Sequence, residues 1–394
     1  MRNLDKEGFD GHLSPQAFLL VAALLLSSGS RVFATFGYIY ILGCILSLLL
    51  AFNKPTRNFI KKRTLVLLYV FVIALVFAVQ YINFGWNTIP GIINFIAKLL
   101  FASTIIAYYG SSFRVCYYWV MFFFCSVSIP LWLLQLIGVK LSCFSLPFHA
   151  SILVFNCPLE SSIRNCGPFW EPGAFAGYIL VAFLVFFASP SYLFRHAKAS
   201  IVLLVALLST MSTTGYLAFF VLVSLYLIQS RASLSKVIMI ACLAICSVYC
   251  YSRLDFLEEK ITEQAKSAVT LGVGEYSSTR MGAFLFDLYY FKKNPLTGNG
   301  LHYRTRYSDH LSVMKSLGKE GGLANTGNGF SNFLGSFGIS FYVIYIYLFF
   351  VNNRLVRNRT KWSFLLVLLI VLQGECYLSY PLFLGLPFVK LLNS

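Results

Sequence analysis

The chain has 394 residues, 58% of them hydrophobic, 17% aromatic and only 11% charged, with a mean hydropathy of +0.74. Soluble domains carry about 25% charged residues, and disordered chains combine low hydrophobicity with high charge, so both classes are excluded. A net charge of +17 would suit nucleic acid only if the basic residues formed one patch. They are scattered along the chain, so the expected partner is membrane lipid and not nucleic acid.

Apolar runs near the roughly 20-residue length of a spanning helix occupy 15–30, 32–52, 64–82, 89–109, 115–138, 172–190, 199–213, 214–229, 236–252, 329–351, 362–376 and 378–392. Gly374, Glu375 and Pro381 interrupt the last two, which also read as one span plus a re-entrant piece. The expectation is an all-α polytopic membrane protein, a single domain over 1–394 with about 12 (10–12) transmembrane helices. The first run has a mixed flank (Arg2, Asp5, Lys6, Glu7, Asp10) and no A-x-A site, so it reads as an uncleaved span and not a signal peptide. Cys44, Cys116, Cys125, Cys242, Cys246 and Cys250 lie inside apolar runs, where a thiol behaves as a small hydrophobe.

Charge orients the spans. The loops holding Lys54 to Arg63, Arg114, Arg195 and Lys198, Arg231 and Lys236, and Arg354 to Lys361 contain no Asp or Glu. Basic short loops mark the cytoplasmic side. Both termini are therefore expected in the cytoplasm, and every acid beyond the amino-terminal tail falls on the opposite side.

Two loops on that outer side are long, 139–171 and 253–328. In the larger, Leu257, Ile261, Ala265 and Ala268 have the spacing of a surface helix over 254–268. A second helix is expected from Ser277 or Ser278 to Lys293, stopped by Asn294-Pro295. Arg280 falls in its first turn, where a cation opposes the helix dipole yet joins free N–H groups in an anion site. The Gly-rich turn Asn294–Leu301, with Asn299 at its centre, leads into His302, Arg304, Arg306 and His310. Arginines beside Gly-rich backbone suit a diphosphate, although ordinary turns use the same residues. The first outer loop ends in Arg164-Asn165-Cys166-Gly167-Pro168-Phe169-Trp170-Glu171-Pro172. Glu171 reads either as a cap on the next span or as the partner of a phosphate-holding Arg164. Lys98 lies deep in a span, where a charge is expensive; it reads as a lipid-phosphate site, a partner of Glu375 or a structural pair. Ser209–Thr214 form a polar break that could line the same cavity.

The spacing Arg164-x-x-Gly167-x-Phe169-x-Glu171-Pro172 resembles the R-x-x-G-x-F-x-E-P signature of bacterial O-antigen and capsule polymerases of the Wzy type. The Ser209–Gly215 break, Arg280 followed by Asn294-Pro295-Leu296-x-Gly298-x-Gly300, and Asn328-Gly329-Phe330 running on to Phe337-Gly338-Ile339 agree in order, over about 160–350. The resemblance implies a GT-C-like helical bundle in the bacterial inner membrane, with periplasmic loops at 139–171 and 253–328. It implies a glycosyltransferase that joins oligosaccharide repeat units carried on undecaprenyl diphosphate, working beside a flippase and a chain-length regulator protein. Arg164, Glu171 and Arg280 are its expected catalytic residues, with Arg304, Arg306, His302, Asn299, Lys98 and Asn328 around the diphosphate. O-antigen ligases of this architecture carry a His beside the Asn that opens the span after the large loop. Here Asn325-Thr326-Gly327-Asn328 has none, which favours polymerase over ligase and leaves the base open between Glu171 and the substrate's own phosphate. The loops show no carboxylate cluster suited to a divalent metal, so neither metal nor other cofactor is expected. The rival from another class is a lipid-linked oligosaccharide flippase, but transporters place functional charges within spans and often repeat their halves. Here Lys98 is the one deep charge.

Overall fold

A computed structural model of the chain describes residues 14–30, 38–53, 55–85, 89–139, 155, 164–229, 280–302, 306–312 and 328–392. The described residues are helical, with no strand among them. In chain order the helices are α1 (Pro15–Ser27), α2 (Tyr38–Asn53), α3 (Arg57–Phe84), α4 (Ile89–Tyr109), α5 (Ser111–Leu136), α6 (Pro172–Leu184) and α7 (Ser191–Arg195). They continue with α8 (Ala197–Ser209), α9 (Thr213–Gln229), α10 (Arg280–Lys293), α11 (Gly329–Asn352), α12 (Asn358–Gly374) and α13 (Pro381–Gly385). The expected span at 236–252 and the surface helix at 254–268 lie outside the described residues.

Local chemistry sets the helix starts. Ser14, Thr56 and Asn328 each accept from the backbone N–H three residues on, at 3.0, 3.2 and 3.1 Å, satisfying a donor the helix leaves unpaired. Pro172 opens α6, where its missing N–H costs nothing. Four described helices are long and apolar enough to cross a membrane by length and composition: Phe59–Phe84, Ile89–Tyr109, Ser111–Leu136 and Gly329–Asn352. Leu42, Leu49, Phe71 and Ile82 stand outward on α2 and α3, more than half exposed, as lipid-facing residues do, since lipid gives no reason to hide them. The chain is a helical membrane protein. The 378–392 run is not a span of its own: it forms α13 between two short 3-10 turns, Tyr377–Ser379 and Leu386–Phe388.

Helix α4 sits between α2 and α3 and against α13; α1 and α8 pack on α5, α12 on α9, and α10 on α11. Aromatic rings fill the centre, with Phe95 and Phe337 4.7 Å apart and Phe333 stacked on Phe337 at 5.1 Å.

Helix α11 is broken at Gly338, whose φ of 68° is left-handed. The break would orphan backbone groups inside the bundle, a cost of several kcal/mol each in a membrane (about 2–7). The segment 294–300 repairs it. Ile339 and Ser340 donate to the carbonyls of Pro295 and Leu296 at 2.8 and 3.3 Å, while Asn299 and Gly300 donate to those of Gly335 and Ser336 at 2.9 and 3.2 Å. Gln80 of α3 donates to Thr297 O and Ser336 O, both at 2.7 Å. A Cβ on Gly338 would lie 2.4 Å from the Leu296 carbonyl, and one on Gly298 (φ 71°) 2.3 Å from that of Ser336.

The bundle has two chemically distinct ends. At one, basic side chains grip the carbonyls of 388–391. Lys62 donates to Phe388 O (3.1 Å), Arg114 to Leu391 O, and Asn352 and Asn353 to Val389 O (2.9 Å each). The other end holds Arg164, Glu171, Arg280 and Glu375.

Candidate functional site

The loop before α6 is shaped residue by residue. Asn165 Nδ2 donates to Ser209 Oγ (2.9 Å) and Ser128 Oγ (3.3 Å), its Oδ1 accepts from Gly167 N–H (3.0 Å), and its own N–H binds Ser209 O (3.1 Å). Gly167 takes a φ of 53°, where a Cβ would meet the Phe175 ring at 2.8 Å. Phe169 stacks on Tyr178 at 4.1 Å and Trp170 on Tyr380 at 4.5 Å. Glu171, held extended by the proline that follows it, makes no capping bond with its side chain. The capping reading is therefore corrected, and the carboxyl is turned to other groups.

Arg164 donates from Nε to Thr210 O (3.0 Å) and from Nη2 to Met211 O (2.8 Å). Met211 is the one described non-glycine residue with positive φ, 48°, a conformation that costs free energy and collects at functional sites. The Ser209–Thr214 break thus presents two carbonyls to a guanidinium and leaves the rest of its fork available.

Arg280, the first residue of α10, donates from Nη1 to Thr214 Oγ1 (2.8 Å) and from Nη2 to Glu375 Oε1 (2.9 Å). Its side chain remains 40% exposed and that of Glu375 14%. The two residues line a small recess, open at its mouth, with Ser212, Thr214, Gly173 and Tyr377. Small residues make it: a Cβ on Gly173 would lie 2.9 Å from Glu375 Oε1, and one on Gly374 3.0 Å from Thr214, the close helix approach that glycines permit in membranes. Tyr377 closes the floor, donating to Gly173 O at 2.7 Å.

Glu375 lies just past α12. Burial, then a hydrogen bond with the Glu171 carboxyl and its charge, raise the Glu375 pKa well above the usual carboxylate range, against the pull of Arg280 and Arg164. Burial pulls Arg164 down, opposed by the charge of Glu171. Two guanidiniums and two carboxyls thus converge from four chain segments. The meeting of Glu171 with Glu375 is a pairing that no spacing in the sequence announces. Among the described residues no group of three or more His, Cys, Asp or Glu could hold a metal.

The other expected site residues have different employment. Arg306 is 2% exposed and donates to Asn332 O (3.1 Å), Asn332 Oδ1 and Ser336 Oγ, with its guanidinium 4.4 Å from the Tyr307 ring. Asn299 is spent on Tyr290 O (2.8 Å), Gly335 O (3.1 Å) and Asn294 (2.7 Å). Asn328 caps α11. His302 is half-buried, its carbonyl accepting from Arg306 N–H at 3.0 Å. Lys98 donates to Ser379 O (2.9 Å) over the Tyr40 ring (4.5 Å), so the structural pairing holds and not the pairing with Glu375. Arg304 lies outside the described residues. The Gly-rich turn is corrected from anion cradle to repair of the broken helix. Glu375, which the sequence reading considered only as a partner for Lys98, is the residue it missed; its signal was an acid ending an apolar run.

No known family model matches the chain, and no curated protein is significantly similar to it.

Proposed function

We propose that the chain is a polymerase of undecaprenyl-diphosphate-linked oligosaccharide units, a glycosyltransferase acting at the periplasmic face of the bacterial inner membrane. In this reading it has about ten to twelve spans in a GT-C-like bundle, with both termini cytoplasmic, and it works beside a flippase and a chain-length regulator. One observation carries the proposal: Arg280, its side chain 40% exposed, lines an open recess between apolar helices, with Arg164 near enough for the two charges to act on each other, at the end opposite the basic loops.

The chemistry asks for that arrangement. The leaving group is a diphosphate, which takes the anomeric bonding pair and needs charge stabilisation more than a proton. A guanidinium offers five donors in a planar fork suited to phosphate oxygens, and fixed donors in a site partly shielded from water are worth far more than in bulk. An apolar rim suits a polyprenyl tail, since the substrate arrives through lipid. The acceptor sugar hydroxyl gives up its proton, and Glu171 stands beside the recess.

The test is the electrophoretic profile of surface polysaccharide from a strain lacking the gene, complemented with wild type or Arg280→Ala. Polymerase predicts a ladder restored by wild type and collapsed to core plus one repeat with Arg280→Ala. Long lipid-linked chains left unattached would mean ligase. Single repeats trapped on the cytoplasmic face would mean flippase. Either would overturn the proposal.

A further inference from the structure

In the recess Glu375 occupies a position that a substrate diphosphate would contest. Its Oε1 takes the Nη2 fork of Arg280 at 2.9 Å, while Nη1 of the same guanidinium is held by Thr214 Oγ1 at 2.8 Å. Thr214 therefore fixes the arginine whether or not Glu375 is present. The carboxyl is held by Arg280 on one side and by Glu171 on the other. Gly173 packs close against it, with only 2.9 Å between Glu375 Oε1 and the point where a side chain would begin. Glu171 meets it from the start of α6. A second carboxyl so close makes the charged form of Glu375 costlier, against the pull of Arg280 and Arg164.

Resting on the polymerase reading, we propose that the Arg280–Glu375 ion pair opens when the donor diphosphate docks on Arg280, and that the freed Glu375 carboxylate is the proton acceptor for the attacking sugar hydroxyl. The acceptor oxygen forms its bond to the anomeric carbon as the bond from that carbon to the diphosphate oxygen breaks. The bonding pair leaves with the diphosphate, held by Arg280 and Arg164. The hydroxyl proton passes to Glu375, and is lost to solvent when product leaves and the ion pair closes. No metal, reductant or other co-reactant enters the balance.

The arrangement explains why an acid should sit on the very donors a diphosphate needs. In the empty site Glu375 screens two cations held in an apolar setting; in the occupied site the diphosphate does. The groups facing Glu375 are Glu171 from the start of α6, Arg164 from the loop before it, Arg280 from α10, and Tyr377 and Tyr380 beyond α12. Burial pushes both tyrosine hydroxyls up, so they remain neutral across the working range. Burial and Glu171 hold the Glu375 pKa above the usual carboxylate range. Because the base works ionised, the rate should climb with pH through that raised value and level off above it.

The experiment uses the purified full chain in nanodiscs, comparing wild type, Glu375→Gln, Glu375→Asp and Arg280→Ala. It reads turnover of lipid-linked repeat units across pH, and affinity for inorganic pyrophosphate. For Glu375→Gln the expected result is turnover lowered by about 10²-fold or more, no acid limb in the pH profile, and pyrophosphate bound at least as tightly as by wild type. Glu375→Asp should restore part of the rate together with a shifted acid limb, which shows that the site is folded. Arg280→Ala should lose pyrophosphate. If Glu375→Gln turns over within about threefold of wild type while Arg280→Ala is dead, the base assignment falls and the polymerase reading stands. If Glu375→Gln loses pyrophosphate as Arg280→Ala does, Glu375 merely positions the arginine and the proposal falls. If wild type neither elongates repeat units nor binds pyrophosphate, the polymerase reading itself has failed.

Discussion

Arg280 and Arg306 both stand between α9 and α11, each among polar and aromatic residues, yet they end in opposite circumstances. Arg306 is 2% exposed and feeds Asn332 and Ser336, inside the repair of a broken helix. Arg280 is 40% exposed, held by one hydroxyl and one displaceable carboxyl at the mouth of a recess. What separates a binding arginine from a structural one is access to the recess, not residue type or company in sequence. A guanidinium walled in among fixed protein acceptors is out of reach of an arriving anion, and its removal would leave those acceptors stranded.

Substitutions at the two regions should therefore fail in different ways. The largest effect is expected for Arg280→Ala: turnover down by about 10³-fold, near 4 kcal/mol of transition-state stabilisation, with the melting temperature in detergent nearly unchanged. A parallel loss of folding would erase the contrast. Next, Gly338→Ala puts a Cβ 2.4 Å from the Leu296 carbonyl at a left-handed φ. It should cost about 3 kcal/mol or more of stability, read as a lower unfolding midpoint and poor yield. Arg306→Met should cost about 2 kcal/mol through the acceptors it strands, while each folded molecule keeps its turnover. A selective loss of rate would return Arg306 to the diphosphate. The smallest change belongs to Lys98→Met, an apolar replacement of similar length. Stability should shift by less than about 1 kcal/mol and turnover should hold, because Lys98 spends its bond on Ser379 O. A rate collapse there would place a lipid phosphate beside α4.

The architecture was legible to the extent that it is written locally. Apolar length announced α4, α9 and α11, and Pro172, Asn328 and the Asn294-Pro295 stop announced their boundaries. Arg164, Glu171 and Arg280 were legible because charged residues at the rims of apolar runs must find partners. Glu375 was not, since its meeting with Glu171 joins the start of α6 to the end of α12, a contact set by helix packing and carried by no spacing. Asn294–Leu301 misled for a related reason. Glycines that let backbone approach a phosphate also let backbone approach a broken helix, and the choice depended on Gly338, far along the chain. Lys98 was the third case: its depth was plain, but its partner was a backbone carbonyl, which leaves no mark in sequence.

The grip of Lys62, Arg114, Asn352 and Asn353 on the carbonyls of 388–391 bears on the order of assembly. Those carbonyls leave the ribosome after α3, α5 and α11, the helices they tie together. Until then the three helices can enter the bilayer separately but lack their shared clasp. Insertion and locking are thus separate events. A nascent chain stalled before residue 388 should hold its helices in the membrane as a loose set, open to quality-control proteases that the finished bundle resists.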